Sequence, residues 1–277
     1  MDIAITDKEF NLFREIIYNE TGINLKEHKK PLLVSRLTRR LMELGINSFS
    51  EYYRMVVTDK GELVRLLDRV STNLTEFFRE ARHFDFLRGG FLDELKERAK
   101  STGQKKIRIW SAACSTGEEP YSIAISLLEG LGRDSSWDIK ILASDICTEA
   151  LEAAECAVYT EERLQKVPRC LWSTYFLRGR YGCTGKYRVK GFVREMLVFR
   201  RFNLKERTWP IRGGFDAIFI RNVLIYFDRP TQDEIVGKLL RYLNNGGYLF
   251  LGHSETMLGK RDGLRMIVPS VYRRSSE

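Results

Sequence analysis

Apolar residues recur at helical spacing through the first seventy positions and then give way to short, wholly apolar runs separated by further helical stretches. Thr6-x-x-Glu9 has the form of a capping box, and Phe10, Phe13, Ile16 and Ile17 follow it on one stripe until Gly22. Pro31 opens a second helix that carries Leu33, Leu37, Leu41 and Leu44 on one face and meets Gly45 as its stop. Ser48-x-x-Glu51 starts a third helix, and Leu63, Leu66, Leu67 and Val70 mark a fourth. Residues 1–72 are therefore expected to form an all-helical domain. Residues 71–79 fit no period, and 84–99 has the spacing of one amphipathic helix. Beyond it, apolar runs at 107–113, 139–146, 215–220 and 247–252 alternate with helical stretches such as 119–129. Strands apolar on both faces and alternating with helices indicate an α/β domain over 73–277, built on a mostly parallel sheet covered by helices. The stretch 157–202 breaks this rhythm: Gly179, Gly182, Gly185 and Gly191 punctuate it, and Tyr187-Arg188-Val189 and Leu197-Val198-Phe199 look like hairpin strands, so it reads as a small β insert.

Composition narrows the class. A chain of 277 residues with 43% hydrophobic and 30% charged residues has material for about two globular domains. No apolar run approaches the roughly 18 residues of a membrane span, and Asp2, Asp7, Lys8 and Glu9 interrupt any signal-peptide core, so a cytoplasmic location is expected, with no membrane insertion. The five cysteines form no C-x-x-C pair and the three histidines (28, 83 and 253) are far apart in sequence, which argues against a disulfide framework and against a metal site. The net charge of +9 favours an acidic partner.

In an open α/β sheet the ligand lies beyond the carboxyl ends of the strands, so the residues after each apolar run carry the chemistry. Cys114-Ser115-Thr116-Gly117-Glu118-Glu119-Pro120 is a turn of small residues leading into a helix. The G-x-G-x-x-G and G-x-x-x-x-G-K-[ST] fingerprints are absent, and two acids at a helix entrance would repel phosphate and attract a cation. Those acids could equally do no more than complement the helix dipole. Asp145, ending the second run, is placed to accept a pair of ribose hydroxyls, although a lone Asp there is also a common helix cap. After the third run the polar pair Arg221-Asn222 interrupts an apolar stretch that continues to Tyr226 and Phe227, and Phe202-Asn203-Leu204 precedes that run, where it could line the adenine side of the same crevice.

Five segments, Ser71–Arg79, Ser111–Ser122, Ala143–Ile146, Arg201–Leu204 and Arg221–Asp228, resemble the motifs of the CheR-type chemotaxis receptor methyltransferases, in order and over nearly the whole chain. The resemblance implies a Rossmann-like class I S-adenosylmethionine-dependent methyltransferase that esterifies glutamate side chains on bacterial chemoreceptors, giving glutamate methyl esters and S-adenosylhomocysteine. It places cofactor contacts on Asn73, Thr75, Arg79, Asp145, Asn203, Leu204, Asn222 and Val223, and on Glu118 or Glu119. Arg79 and Tyr226 are the residues it implicates in activity. In some members the insert docks a peptide from the receptor's carboxyl terminus by strand addition, and 187–199 is the expected edge.

A glutamate carboxylate is already ionised at neutral pH, so methyl transfer to it needs no general base, in keeping with the lack of a Ser-His-Asp or Cys-His arrangement. A nucleic-acid amino-methylase would carry an Asn/Asp-Pro-Pro-aromatic turn where Asn222-Val223-Leu224-Ile225 stands, so no nucleic-acid partner is expected. A non-catalytic module would not need both Arg79 and Tyr226. Finally, Arg36, Arg39 and Arg40 fall at i, i+3 and i+4 on the second helix, opposite its leucine stripe, and form a candidate basic face for docking the Glu-rich receptor bundle.

Overall fold

The computed structural model describes residues 4–132, 136–258 and 263–275. The chain forms two compact units. The first holds residues through Thr72 together with Asn203–Trp209 and Ile225–Val236. Its helices are α1 (Asp7–Thr21), α2 (Lys30–Leu44), α3 (Phe49–Thr58) and α4 (Lys60–Val70). The capping box is present in full, with Thr6 Oγ1 accepting from Glu9 N and the Glu9 carboxylate accepting from Thr6 N. Gly22 and Gly45 end α1 and α2 in the left-handed conformation that glycine adopts at least cost. Phe10, Phe13, Ile17, Leu33, Leu37, Leu41, Tyr52, Val56, Leu66 and Val70 fill the core. On α4 the buried face is rotated from the leucine pattern: Glu62 is buried and Leu63 only half-buried.

The two later segments join this unit because they satisfy the carboxyl end of α1. Lys205 Nζ donates to the carbonyls of Tyr18 (2.7 Å) and Asn19 (2.8 Å), and Asn203 Nδ2 donates to that of Glu20. A cation and an amide donor at a helix carboxyl terminus meet both its unpaired carbonyls and its dipole. Tyr18 Oη donates to Asp228 at 2.7 Å, and Ile23 bridges Phe227.

The second unit holds Asn73–Phe202, Pro210–Leu224 and Gly237–Glu277. The expected single helix over 84–99 is instead α5 (Arg82–Phe86), a π turn at Leu87–Phe91 and α6 (Leu92–Thr102). Gly89 leaves helical geometry there (φ −97°, ψ −105°), a break that the adjacent pair Gly89-Gly90 makes cheap. Then come β1 (Lys106–Ala112), α7 (Glu118–Leu131), β2 (Asp138–Asp145), α8 (Thr148–Cys156), β3 (Val158–Thr160), α9 (Arg169–Tyr175), β4 (Phe176–Arg178), β5 (Lys186–Val189), β6 (Leu197–Arg201), β7 (Phe215–Ile220), β8 (Leu243–Leu251), β9 (Leu264–Val268) and β10 (Val271–Arg274).

Among the described residues seven strands form one sheet in the order β6-β2-β1-β7-β8-β10-β9, parallel except for β10. Every residue of β7 is buried, as a central parallel strand requires. The strand order reverses between β1 and β7, which is the topological switch point where ligands bind in such sheets.

The insert is smaller than the sequence suggested. Only β3, β5 and β4 form its antiparallel sheet, in that order, whereas Leu197–Arg201 pairs in parallel with β2 as the edge of the main sheet. Phe199 packs against Tyr121 of α7 there. The expected docking edge at 187–199 is thus not an edge of the insert: Tyr187 lies in its middle strand, with Tyr159 and Arg178 as partners on either side, and Leu197–Phe199 lie on the edge strand of the main sheet. The open edges of the insert are β3 and β4.

Candidate active site

In the second unit the loops after β1, β2, β7 and β8 converge. The loop after β1 takes left-handed φ at Ala113 (69°), Ser115 (51°) and Gly117 (95°), a tight reversal that turns backbone N–H groups toward its neighbours. A Cβ at Gly117 would sit 2.8 Å from Tyr159 Oη and 2.9 Å from Ala154 Cβ, so only glycine fits. Asp145 binds the β1 and β2 loops together: Oδ2 accepts from Ser115 N at 2.8 Å and Oδ1 from Cys147 N at 3.0 Å. Asn73 touches the same corner, with Nδ2 on Cys147 Sγ (3.2 Å) and its carbonyl accepting from Ser115 Oγ (3.1 Å).

The two adjacent acids of α7 have different surroundings. Glu118 is fully buried, accepts from Thr116 Oγ1 at 2.7 Å and faces Arg163 of the insert at 3.1 Å. Arg163 also donates to the Thr75 carbonyl and to Thr116, both at 3.3 Å. Glu119 keeps 12% of its side chain exposed, and it accepts from Ser111 Oγ (2.7 Å) and Arg221 Nη1 (3.0 Å). Burial pushes the Glu119 carboxyl above the usual carboxylate range even with Arg221 beside it.

Arg221, with 1% of its side chain exposed, lies between Glu119 and Glu80, whose Oε2 it meets at 3.0 Å. It also donates to the carbonyl of Arg79. The segment around Arg79 is strained, with φ of 53° at Phe78 and 61° at Glu80, and Arg79 Nη1 donates to the Leu74 carbonyl at 3.0 Å. Burial works against the charge of Glu80, but Arg221 outweighs it and holds the carboxyl below its ordinary value. His83 and His253, distant in sequence, meet here ring to ring at 5.3 Å. Both face Glu80 Oε2, at 3.5 and 3.9 Å, the oxygen that Arg221 already occupies. Burial, then Arg221, depress His83 to about 3, so it is neutral near pH 7. Asn222, at φ 58°, follows Arg221, and Val223 beside it is half-buried.

Asn73, Thr75, Arg79, Glu118, Glu119, Asp145, Asn222 and Val223 all belong to this unit. Asn203, Leu204 and Tyr226 belong to the other. There Asn203 Oδ1 accepts from Lys205 N, Leu204 is buried, and Tyr226 is half-buried with its carbonyl accepting from Asn24 N at 2.8 Å. The basic trio of α2 is not one solvated face. Arg36 donates to the carbonyls of Val70 and Ser71 and feels the phenol of Tyr226, and Arg40 forms a two-pronged pair with Glu62. Arg39, 78% exposed, is the member that projects.

Sequence reasoning did not find Glu80, Arg163 or Glu255. Glu80 directly follows Arg79, and Glu255 closes the polar run Gly252-His253-Ser254-Glu255 after β8, a strand end of the same kind as the other three.

The donor set suits S-adenosylmethionine: Glu119 can face an ammonium, Arg79 a carboxylate and Asp145 vicinal hydroxyls. The guanidinium Nε of Arg221 is buried without a hydrogen-bond partner, so the cluster is not closed on itself. Among the described residues no helix is long and apolar enough to cross a membrane. Residues 73–272 match the family model described as the CheR methyltransferase, SAM binding domain, and residues 8–71 match the CheR methyltransferase, all-alpha domain. A chemotaxis protein methyltransferase of Borreliella burgdorferi is 39% identical over 99% of this chain and 97% of its own length. Chemotaxis protein methyltransferase 2 of Pseudomonas aeruginosa is 44% identical over 96% of this chain and 93% of its own. The chemotaxis protein methyltransferase of Escherichia coli is 40% identical, covering 91% and 86%. With both family models and near-full-length relatives matched, the chain belongs to the CheR methyltransferase family and is an S-adenosylmethionine-dependent methyltransferase of chemotaxis.

Proposed function

We propose that this chain esterifies glutamate side chains in the cytoplasmic methylation region of chemoreceptors, leaving glutamate methyl esters and S-adenosylhomocysteine. The observation that carries the reading is the polar set of Asp145 and Glu119, beyond the strand ends, and Arg79, in the segment before α5, which offers groups to bind and orient but no paired base and nucleophile. The cofactor supplies an electrophilic sulfonium methyl. What remains for the protein is to hold a carboxylate in line within about 3–3.5 Å and strip its water. Arg79 pairs with the cofactor's carboxylate, and Glu119, the more accessible of the two acids, faces its ammonium. Asp145 accepts from the ribose hydroxyls. Asn73, Thr75, Asn222 and Val223 complete the cofactor's surroundings, and the family motif adds Asn203 and Leu204. Tyr226 donates its hydroxyl to the substrate carboxylate and orients it, which makes it the catalytic residue on the substrate side.

Docking of the receptor falls to the exposed face of α2. With Arg36 and Arg40 engaged within their own unit, Arg39 carries the charge contact there, beside the exposed apolar side chains of Leu32 and Met42. A receptor tail peptide would add to β3 or β4, the outer strands of the insert.

The direct test is transfer of labelled methyl from S-adenosylmethionine to receptor cytoplasmic fragments. Base-labile, methanol-releasing label on glutamate supports the reading, and base-stable label or none on any receptor fragment refutes it.

A further inference from the structure

Two glutamates outside the proposed set of contacts, Glu255 buried and Glu80 half-buried, grip Asn222 from both sides. Glu255, 5% exposed, accepts from Asn222 N at 2.8 Å and from Gly252 N at 2.7 Å, both through Oε2. Glu80 Oε1 accepts from Asn222 Nδ2 and from His253 N, each at 3.3 Å, while its Oε2 holds Arg221. The loops after β7 and β8 are thereby fastened to each other and to the strained segment at Arg79. The fit is close. A Cβ on Gly252 would lie 2.7 Å from Asn222 Nδ2, 2.7 Å from Glu255 Oε2 and 2.9 Å from Asn222 N. Asn222 itself has φ of 58°, a conformation a non-glycine residue keeps only where its surroundings impose it. Because a carboxylate only accepts, Glu80 also fixes which way the Asn222 amide is turned: the NH2 group points to Glu80, and the carbonyl oxygen is the end left for a ligand donor.

We infer that Glu255 and Glu80 are positioning residues of the methyl-transfer site, holding Asn222 in its left-handed conformation with its amide oxygen presented to a hydrogen-bond donor of the cofactor. This rests on the reading of Asn222 as a cofactor contact. A single oxygen of Glu255 receives both N–H groups, so the reach of that oxygen is decisive.

Three variants of the full-length chain separate the parts, with S-adenosylhomocysteine titrated by calorimetry and both Michaelis constants measured. Glu255→Gln keeps the oxygen in place and should bind nearly as the parent does. Glu255→Asp withdraws it by one methylene and should weaken binding about tenfold, raising KM for S-adenosylmethionine but not for receptor. Gly252→Ala, whose added Cβ would crowd both Asn222 and the Glu255 carboxylate, should act in the same direction. The same measurement on Asn222→Ala tells the two levels apart. If Asn222→Ala is weakened while folded Glu255→Asp and Gly252→Ala bind like the parent, the clamp is wrong and the contact stands. If Asn222→Ala also binds like the parent, the contact reading is wrong and the clamp falls with it.

Discussion

In the helical unit, Glu62 is buried among donors: both arms of Arg40 at 2.7 and 2.8 Å, Tyr52 Oη at 3.0 Å and Arg65 at 3.2 Å. In the sheet unit the proportion is reversed, with one buried guanidinium, Arg221, shared by two carboxylates, Glu80 and Glu119. The first cluster is complete. Hydrogen bonding from Arg40 holds the Glu62 carboxyl down at about 2, and helices α2, α3 and α4 are tied together through it. The second carries an excess negative charge, leaves Arg221 Nε unpaired, and pushes Glu119 upward because its burial is not fully offset. A buried cluster that satisfies itself is structural, whereas one with an unbalanced charge at strand ends is prepared for something cationic. The ammonium and sulfonium of S-adenosylmethionine fit that description.

The comparison is broken most severely by removing the shared cation. Arg221→Met keeps volume but leaves two largely buried carboxylates without their counter-charge, and should cost about 3–5 kcal/mol in urea denaturation. A loss below about 1 kcal/mol would mean that the acids are not held by Arg221. Next in size, the low carboxyl of Glu62 makes a pH-dependent contribution. Its folded-state value lies below the ordinary 4.5, so its stabilisation is present above that pH and is lost as pH falls through about 2. The shift corresponds to about 3 kcal/mol. Glu62→Gln should flatten the acid limb of the stability curve between these values without changing affinity for S-adenosylhomocysteine.

Glu119 has the opposite sign. Its folded-state value lies above the ordinary one, so the native state binds the extra proton and stability gains as pH falls toward the carboxylate range. Glu119→Gln should therefore raise stability at pH 7, seen as a higher melting temperature, while weakening S-adenosylhomocysteine about tenfold. Weakened stability with unchanged affinity would make Glu119 a second Glu62. The smallest effect belongs to the surface: Arg39→Glu should leave stability within about 0.5 kcal/mol and raise KM for receptor a few-fold at low salt. A salt-independent KM would remove Arg39 from docking.

What was legible in the sequence follows the range of the interactions that decide it. The four helices of the first unit could be read because their stripes and caps are local: Thr6 and Glu9 are three residues apart, and Leu33, Leu37 and Leu41 share one face. The sequence pattern alone places Leu197–Arg201 in the insert, because a short apolar run carries no mark of its partner, and its pairing with β2 lies some fifty residues away. The π turn was hidden because Gly89 and Gly90 sit inside an otherwise periodic pattern. At the candidate site, Asp145, Asn222 and the adjacent acids Glu118 and Glu119 stood out as polar residues beyond the ends of apolar runs. Their partners did not, because Arg163, Glu80 and Glu255 reach them only through the fold. The same holds for α2, where arginines spaced for one face are claimed by Glu62 and by the carbonyls of Val70 and Ser71.

The central claim, that the loops at the ends of β1, β2 and β7 hold S-adenosylmethionine, is tested most directly by calorimetric titration of S-adenosylhomocysteine into Asp145→Ala beside the parent protein. Loss of a charged acceptor for the ribose predicts affinity weaker by about 1–3 kcal/mol in a protein that remains folded. Parent-like affinity in folded Asp145→Ala would contradict it.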